Sequence, residues 1–168
     1  GACVVLDRDR DMARLVLGNW TIDLARQDGD DLKADLLRRD YRINAIGLTL
    51  TTEPKLLDPS GGIADLRDQR ITAVHEQNLL DDPLRLLRAL RLAAELSMTI
   101  DEATLEMIAR HRHHLPKVAP ERIQAELLKL VQANNADQAI RLLHSLELIA
   151  PWSSDQPQRT FNAEALTQ

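Results

Sequence analysis

Four stretches beyond residue 80 repeat Leu, Ile and Ala every three or four positions, and no other feature restricts the fold as much. They are DDPLRLLRALRLAAEL (81–96), DEATLEMIARHRHH (101–114), PERIQAELLKLVQA (120–133) and DQAIRLLHSLEL (137–148). That spacing places apolar side chains on one face of a helix. Asp82 is the expected N-cap of the first helix and Pro83 its first helical residue. Aromatics make up only 2% of the chain, so the core must be aliphatic, which favours helix over an all-β sandwich. Hydrophobic residues reach 44% of 168, enough for a packed core and against wholesale disorder.

The first half reads differently. CVVL and MARLVL flank DRDRD, a hairpin with a charged turn, and WTIDLAR alternates as a third strand after the Gly18-Asn19 turn. GDDLKADLLRRD reads as a loop plus a short helix, and INAIGLTL as a largely buried strand. Residues 54–74 are connector and turn, with one or two helical turns in IADLRD and a last short strand in RITAV. The expectation is an α/β (α+β) unit over 1–78 with a mixed sheet and short helices. An all-α unit follows over 79–150. Residues 151–168 lose periodicity and are expected to fray or to begin a further body. The opening Gly-Ala-Cys, without a methionine and already strand-like, points to a fragment or a processed product.

The net charge of −5 argues against a surface that binds nucleic acid all over, but a local basic groove remains compatible with it. A single cysteine, Cys3, excludes an internal disulfide and points to a reducing, cytoplasmic setting. No apolar run approaches the ~20 residues of a membrane span.

Two clusters carry chemistry. In DDPLRLLRALRL, Asp82, Arg85, Arg88 and Arg91 follow one another at three-residue spacing along one helix. A carboxylate only accepts hydrogen bonds and a guanidinium only donates. Side by side they complement an exocyclic amine next to a ring nitrogen, the edge shown by cytosine and adenine. Uracil and guanine show the reverse and would leave buried groups unpaired. The remaining arginines suit phosphates. A capped helix with a solvated arginine stripe would have the same pattern. In LLRRDYRINAI, Arg38, Arg39, Asp40 and a buried Asn44 form either an anion-plus-hydroxyl site or a local helix-to-strand junction.

Taken in order, four segments resemble the class II nucleotidyltransferases, the family of CCA-adding tRNA nucleotidyltransferases and bacterial poly(A) polymerases. DLLRRDYRINAI (35–46) resembles RRDFTINA, and LLDPSGGIADLRDQRI (56–71) resembles the DPxGGxxDL hinge. DDPLRLLRALRLAAEL resembles EDPxRxLRxxRFAA with its EDxxR signature, and APERIQAELLKL (119–130) the neck motif ERIxxEL. The resemblance implies a nucleotidyltransferase head followed by a helical neck, adding CMP and/or AMP to tRNA 3′ ends with CTP or ATP as substrate. It implies that Arg39 contacts the nucleotide, that Arg38 and Asp40 lie by the sugar, and that Asp82 and Arg85 read the base. Arg88 and Arg91 would extend that site, segment 56–71 would join head to neck and let it turn, and Glu121 and Arg122 would support the neck. Departures are Asp81 for Glu, Tyr41 and Arg42 for Phe and Thr, and Leu92 for Phe.

The same resemblance implies an upstream GGxVRD loop and a DxD pair holding two magnesium ions, neither of which is found here. Asp7-x-Asp9 is literally DxD, but it sits at an expected hairpin tip among Arg8 and Arg10, which would repel a divalent cation. Asp23 is a weaker candidate for the metal side. His111, His113 and His114 lack clean ligand spacing and read as a basic helix end. Only QDGDDLKA separates TIDLAR from DLLRRD, a short connection that resembles relatives adding only CC or sharing CC and A addition between two enzymes. A non-catalytic nucleotide- or RNA-binding module is the competing expectation. An upstream reading frame encoding GGxVRD and DxD would separate the two.

Overall fold

The computed structural model describes residues 1–8 and 11–153. Strands β1 (Ala2–Asp7), β2 (Met12–Leu17) and β3 (Trp20–Ala25) form an antiparallel meander in the order β1-β2-β3. Its register pairs Cys3 with Leu15 and Leu15 with Ile22, then Val5 with Ala13 and Ala13 with Leu24, while Leu17 pairs with Trp20. Paired residues share a face, so those eight side chains form one apolar side. The opposite side carries Val4, Arg14 and Asp23. Helix α1 (Leu32–Leu37) starts at Asp31, whose side chain accepts from the Ala34 N–H at 2.7 Å.

After α1 the structure departs from the expected buried strand. Arg42–Asn44 form a 3-10 turn, and only β4 (Gly47–Leu48) is extended, pairing with β5 (Leu56–Leu57). Leu48 and Leu50 are exposed. The cause is local: Asp40 Oδ1 accepts from the Tyr41 N–H at 2.9 Å and from Asn44 Nδ2 at 3.1 Å, bonds that compete with strand formation. Asn44 is itself exposed, contrary to the expectation that it is buried.

Segment 56–71 is compactly folded. Helix α2 (Gly62–Arg67) is capped by Asp58, whose two oxygens accept from the Gly62 and Ile63 N–H groups at 2.6 and 3.0 Å. Strand β6 (Arg70–Ile71) pairs in parallel with β7 (Thr99–Ile100), across the expected boundary at residue 78. One further helix, α3 (Glu76–Asp81), precedes α4 (Leu84–Leu96), so Asp82 ends α3 in an extended conformation and Pro83 caps α4. Asp82 still acts on the start of α4, with Oδ1 3.3 Å from the Leu84 N–H.

Helices α5 (Glu102–His111), α6 (Pro120–Val131) and α7 (Ala136–Ser145) follow the apolar spacing of the sequence, with α8 (Ala150–Ser153) last. Helix α4 is the axis of the core and packs on α6 and α7. Leu86, Leu87 and Leu90 are essentially solvent-free, each such leucine contributing roughly 2 kcal/mol of transfer free energy. Tyr41, Ile71 and Ala73 belong to the same core as the helices, so the two expected units share one interior. Leu92, at the position of the motif's phenylalanine, is buried there too. The expectation for the tail beyond Ser153 lies outside the described residues. Among the described residues no helix is long and apolar enough to cross a membrane.

Candidate functional site

A cleft of about 610 Å³ opens where β2, β3, α1, the α3–α4 junction and α6 converge. Its wall holds Arg26, Arg38, Arg39, Arg85 and Arg122, together with Asp28, Asp35, Asp81 and Asp82. Five guanidinium groups against four carboxylates make this a locally basic groove on an acidic chain.

On one side stand the arginines at the end of α1. Arg39 grips Asp35 through Nε and Nη2 at 3.2 and 2.7 Å, leaving Nη1 for a ligand. Burial would raise the Asp35 carboxyl, but the Asp28 N–H and the Arg39 guanidinium outweigh it and hold it below its usual range. Arg38 meets Asp28 at 3.1 Å; both side chains are well exposed, so the pair is weak and readily exchanged for an anion.

Opposite them lie Asp82 and Arg85. Arg85 Nη1 donates to the carbonyls of Asn78 and Arg38 at 2.8 and 3.1 Å, and its Nε and Nη2 have no bond among the described residues. Asn78 Nδ2 donates to the carbonyls of Leu37 and Arg39 at 2.9 and 2.8 Å. Three carbonyls left open at the end of α1 are therefore held by Asn78 and Arg85, which fixes the two arginine groups relative to each other. Asp82 Oδ2 accepts from Arg122 Nη2 at 2.8 Å. Burial works against the charge on Asp82, yet Arg122 and the Leu84 N–H overcome it and depress its carboxyl. Asp81 accepts from Gln77 at 2.9 Å.

The other expected site residues sit behind the groove or away from it. Asp40 is buried and accepts from Tyr41, Asn44 and Arg88 Nε, the last at 2.9 Å. Tyr41, fully buried, donates its hydroxyl to the Arg85 carbonyl at 2.6 Å; burial first, then the Asp40 charge, pushes its phenol well above the usual value. Arg91, expected to extend the site, does not line this cleft. It is tied to Glu126 of α6 at 2.5 Å, a bond between helices, and to Glu95 one turn further along α4. Asn78 and Arg122 were not anticipated as site residues. Only the ERIxxEL segment hinted at Arg122, and no sequence signal marked Asn78.

Among the described residues the carboxylates considered for the implied metal centre are engaged or stand apart. Both oxygens of Asp23 face Arg14, at 2.6 and 2.8 Å, on an exposed strand. Asp7 ends β1, and Asp9 lies outside the described residues. Among the described residues no group of three His, Cys, Asp or Glu stands together as a metal cluster. The described residues assemble no set of donors that fits a two-magnesium site. His111, the last residue of α5, instead meets Glu76 at 2.6 Å, and in the 3-10 turn that follows (Arg112–Lys117) the rings of His113 and His114 lie 4.1 Å apart, tilted by 39°.

Comparison with known proteins adds three findings. Residues 11–72 match the model for the poly(A) polymerase head domain, and residues 97–160 that for a probable RNA- and SrmB-binding site of polymerase A. The CC-adding tRNA nucleotidyltransferase of Synechocystis sp. is 39% identical over 95% of the chain, and the CCA-adding enzyme of Latilactobacillus sakei 37% identical over 66%. The chain spans 38% and 28% of the length of those two proteins. The Thermotoga maritima CCA-adding enzyme complexed with tRNA superposes with a TM-score of 0.80 at 29% identity, over 95% of the chain and 40% of that structure.

Proposed function

The chain belongs to the class II nucleotidyltransferase family, and from that premise we propose that its groove binds CTP or ATP and selects the nucleotide for addition to a tRNA 3′ end. The observation that carries this reading is the convergence of Arg38 and Arg39 with Asp82 and Arg85 on one cleft, from positions more than forty residues apart in sequence. Arg39 contacts the incoming nucleotide and Arg38 lies by its sugar. Asp82 accepts from the exocyclic amine of the base, and the open edge of Arg85 donates to its ring nitrogen. Asp40, Asn44 and Arg88 hold the turn that presents the arginines. Residues 1–78 serve as the head portion and 79–150 as the neck, on one shared core. The short connection between β3 and α1 and the likeness to a CC-adding enzyme favour C over A.

Base reading has a direct test. Equilibrium binding of CTP, ATP, UTP and GTP should show a preference of about tenfold or more for the first two, the worth of one well-made polar contact. Asp82→Ala should bring that preference close to unity; an unchanged ratio would sink the base-reading role. Catalysis is a separate matter. Because metal donors are not assembled among the described residues, the chain alone with magnesium is expected to incorporate neither CMP nor AMP into tRNA. Incorporation by the chain alone would overturn that expectation. In the parent enzyme, extension of tRNAs ending in N, C or CC separates CC, CCA and poly(A) addition. Absence of extension on all three favours a non-catalytic binding module.

A further inference from the structure

Arg122 belongs to α6, forty residues beyond Asp82, and its side chain is half exposed. Its Nη2 nevertheless meets Asp82 Oδ2 at 2.8 Å inside the groove. Asp82 stands between two helices, where the backbone alone leaves its side chain free to rotate. Two donors fix it: the Leu84 N–H at 3.3 Å on Oδ1, a long bond, and Arg122 on Oδ2, a short charge-assisted one. The direction in which Asp82 presents its remaining lone pairs is therefore set chiefly from the neck.

Charge matters as much as direction. An ionised carboxylate only accepts, whereas a protonated one carries an O–H and can donate. A donating Asp82 would pair with the O4 of uracil or the O6 of guanine and would erase the discrimination. From this geometry we infer that Arg122 is a specificity-determining positioning residue, which holds Asp82 as an acceptor aimed into the groove and so makes the neck helix a part of base selection. The inference rests on Asp82 being the base-edge acceptor. Arg85 does not do this job in the structure: its Nη1 is turned to the carbonyls of Arg38 and Asn78, and among the described residues the guanidinium bonded to Asp82 is that of Arg122.

The test compares Arg122→Met, Arg122→Lys and Asp82→Ala with the unchanged chain, reading equilibrium binding of CTP, ATP, UTP and GTP alongside the melting temperature. Methionine keeps the apolar stem but removes the donor. Arg122→Met is expected to cut the preference for CTP and ATP by about tenfold, with Arg122→Lys restoring most of it, because an ammonium still donates to a carboxylate. The melting temperature should move little, since the pair is solvent-accessible. If Asp82→Ala abolishes the preference while Arg122→Met leaves it intact, the inference is overturned and the base reading survives. Equal weakening of all four nucleotides by Arg122→Met also overturns it, because Arg122 would then be a phosphate contact. If Asp82→Ala leaves the preference untouched, the base reading falls and the inference falls with it.

Discussion

Asp40→Ala is expected to lower the stability of the chain by about 3 kcal/mol and to weaken nucleotide binding at the same time. Asp40 is buried and accepts three hydrogen bonds, from the Tyr41 N–H, from Asn44 and from Arg88. Breaking a buried pair costs about 3–5 kcal/mol, and the low end applies because Arg88 is more than a third exposed and regains water. Asp40→Asn separates charge from shape. It keeps Oδ1 as an acceptor for Tyr41 and Asn44 but sets an amide NH2 against the Arg88 N–H, losing that hydrogen bond with the charge, so its cost should be about 2 kcal/mol. Urea unfolding of the three proteins gives both numbers. Wild-type stability in Asp40→Ala would show that the turn after Asp40 does not depend on its side chain.

Gly62→Ala should be comparably damaging, for a steric reason. A Cβ at Gly62 would lie 2.0 Å from the Arg42 carbonyl oxygen and 2.9 Å from Ile46 Cγ1. Backbone cannot yield as a flexible side chain does, so α2 would have to lift off the 3-10 turn, at a cost of about 3 kcal/mol. Gly61→Ala is the informative neighbour. Gly61 has φ +83° with nothing within 4 Å of the added Cβ, so the only cost is left-handed backbone, about 1 kcal/mol. A thermal melt that ranks Gly62→Ala as the milder of the two would refute the close approach. Because the turn carries Asn44 and follows Asp40, Gly62→Ala should also lower nucleotide affinity.

What could be read beforehand follows from the range of the interactions. The helices of the second half were legible because Leu and Ala spacing along one segment is enough to define an amphipathic face. The hairpin and third strand were legible from alternation and from a turn at Gly18-Asn19. INAIGLTL was misread because a short apolar run does not distinguish strand from turn, and the deciding bonds come from the Asp40 side chain. Likewise, three-residue spacing aligned Arg85, Arg88 and Arg91 on α4 but could not say what each would meet. Arg85 faces the groove, Arg88 meets Asp40 and Arg91 meets Glu126. Asn78 and Arg122 find their partners about forty residues away, a separation over which no local pattern carries information.

The meander has one apolar side, and the accessibility of its members sets the colloidal behaviour of the chain. Trp20 is 75% exposed and Val5 57%, with Leu17, Ile22 and Leu24 also open to solvent. A contiguous apolar sheet face in water is a surface for adhesion, and β1 and β3 add two unpaired edges to it. The opposite side sets the Arg14–Asp23 pair between Val4 and Val16. The exposed apolar residues of the sheet, rather than the charged cleft, are therefore expected to limit the solubility of this chain in dilute buffer.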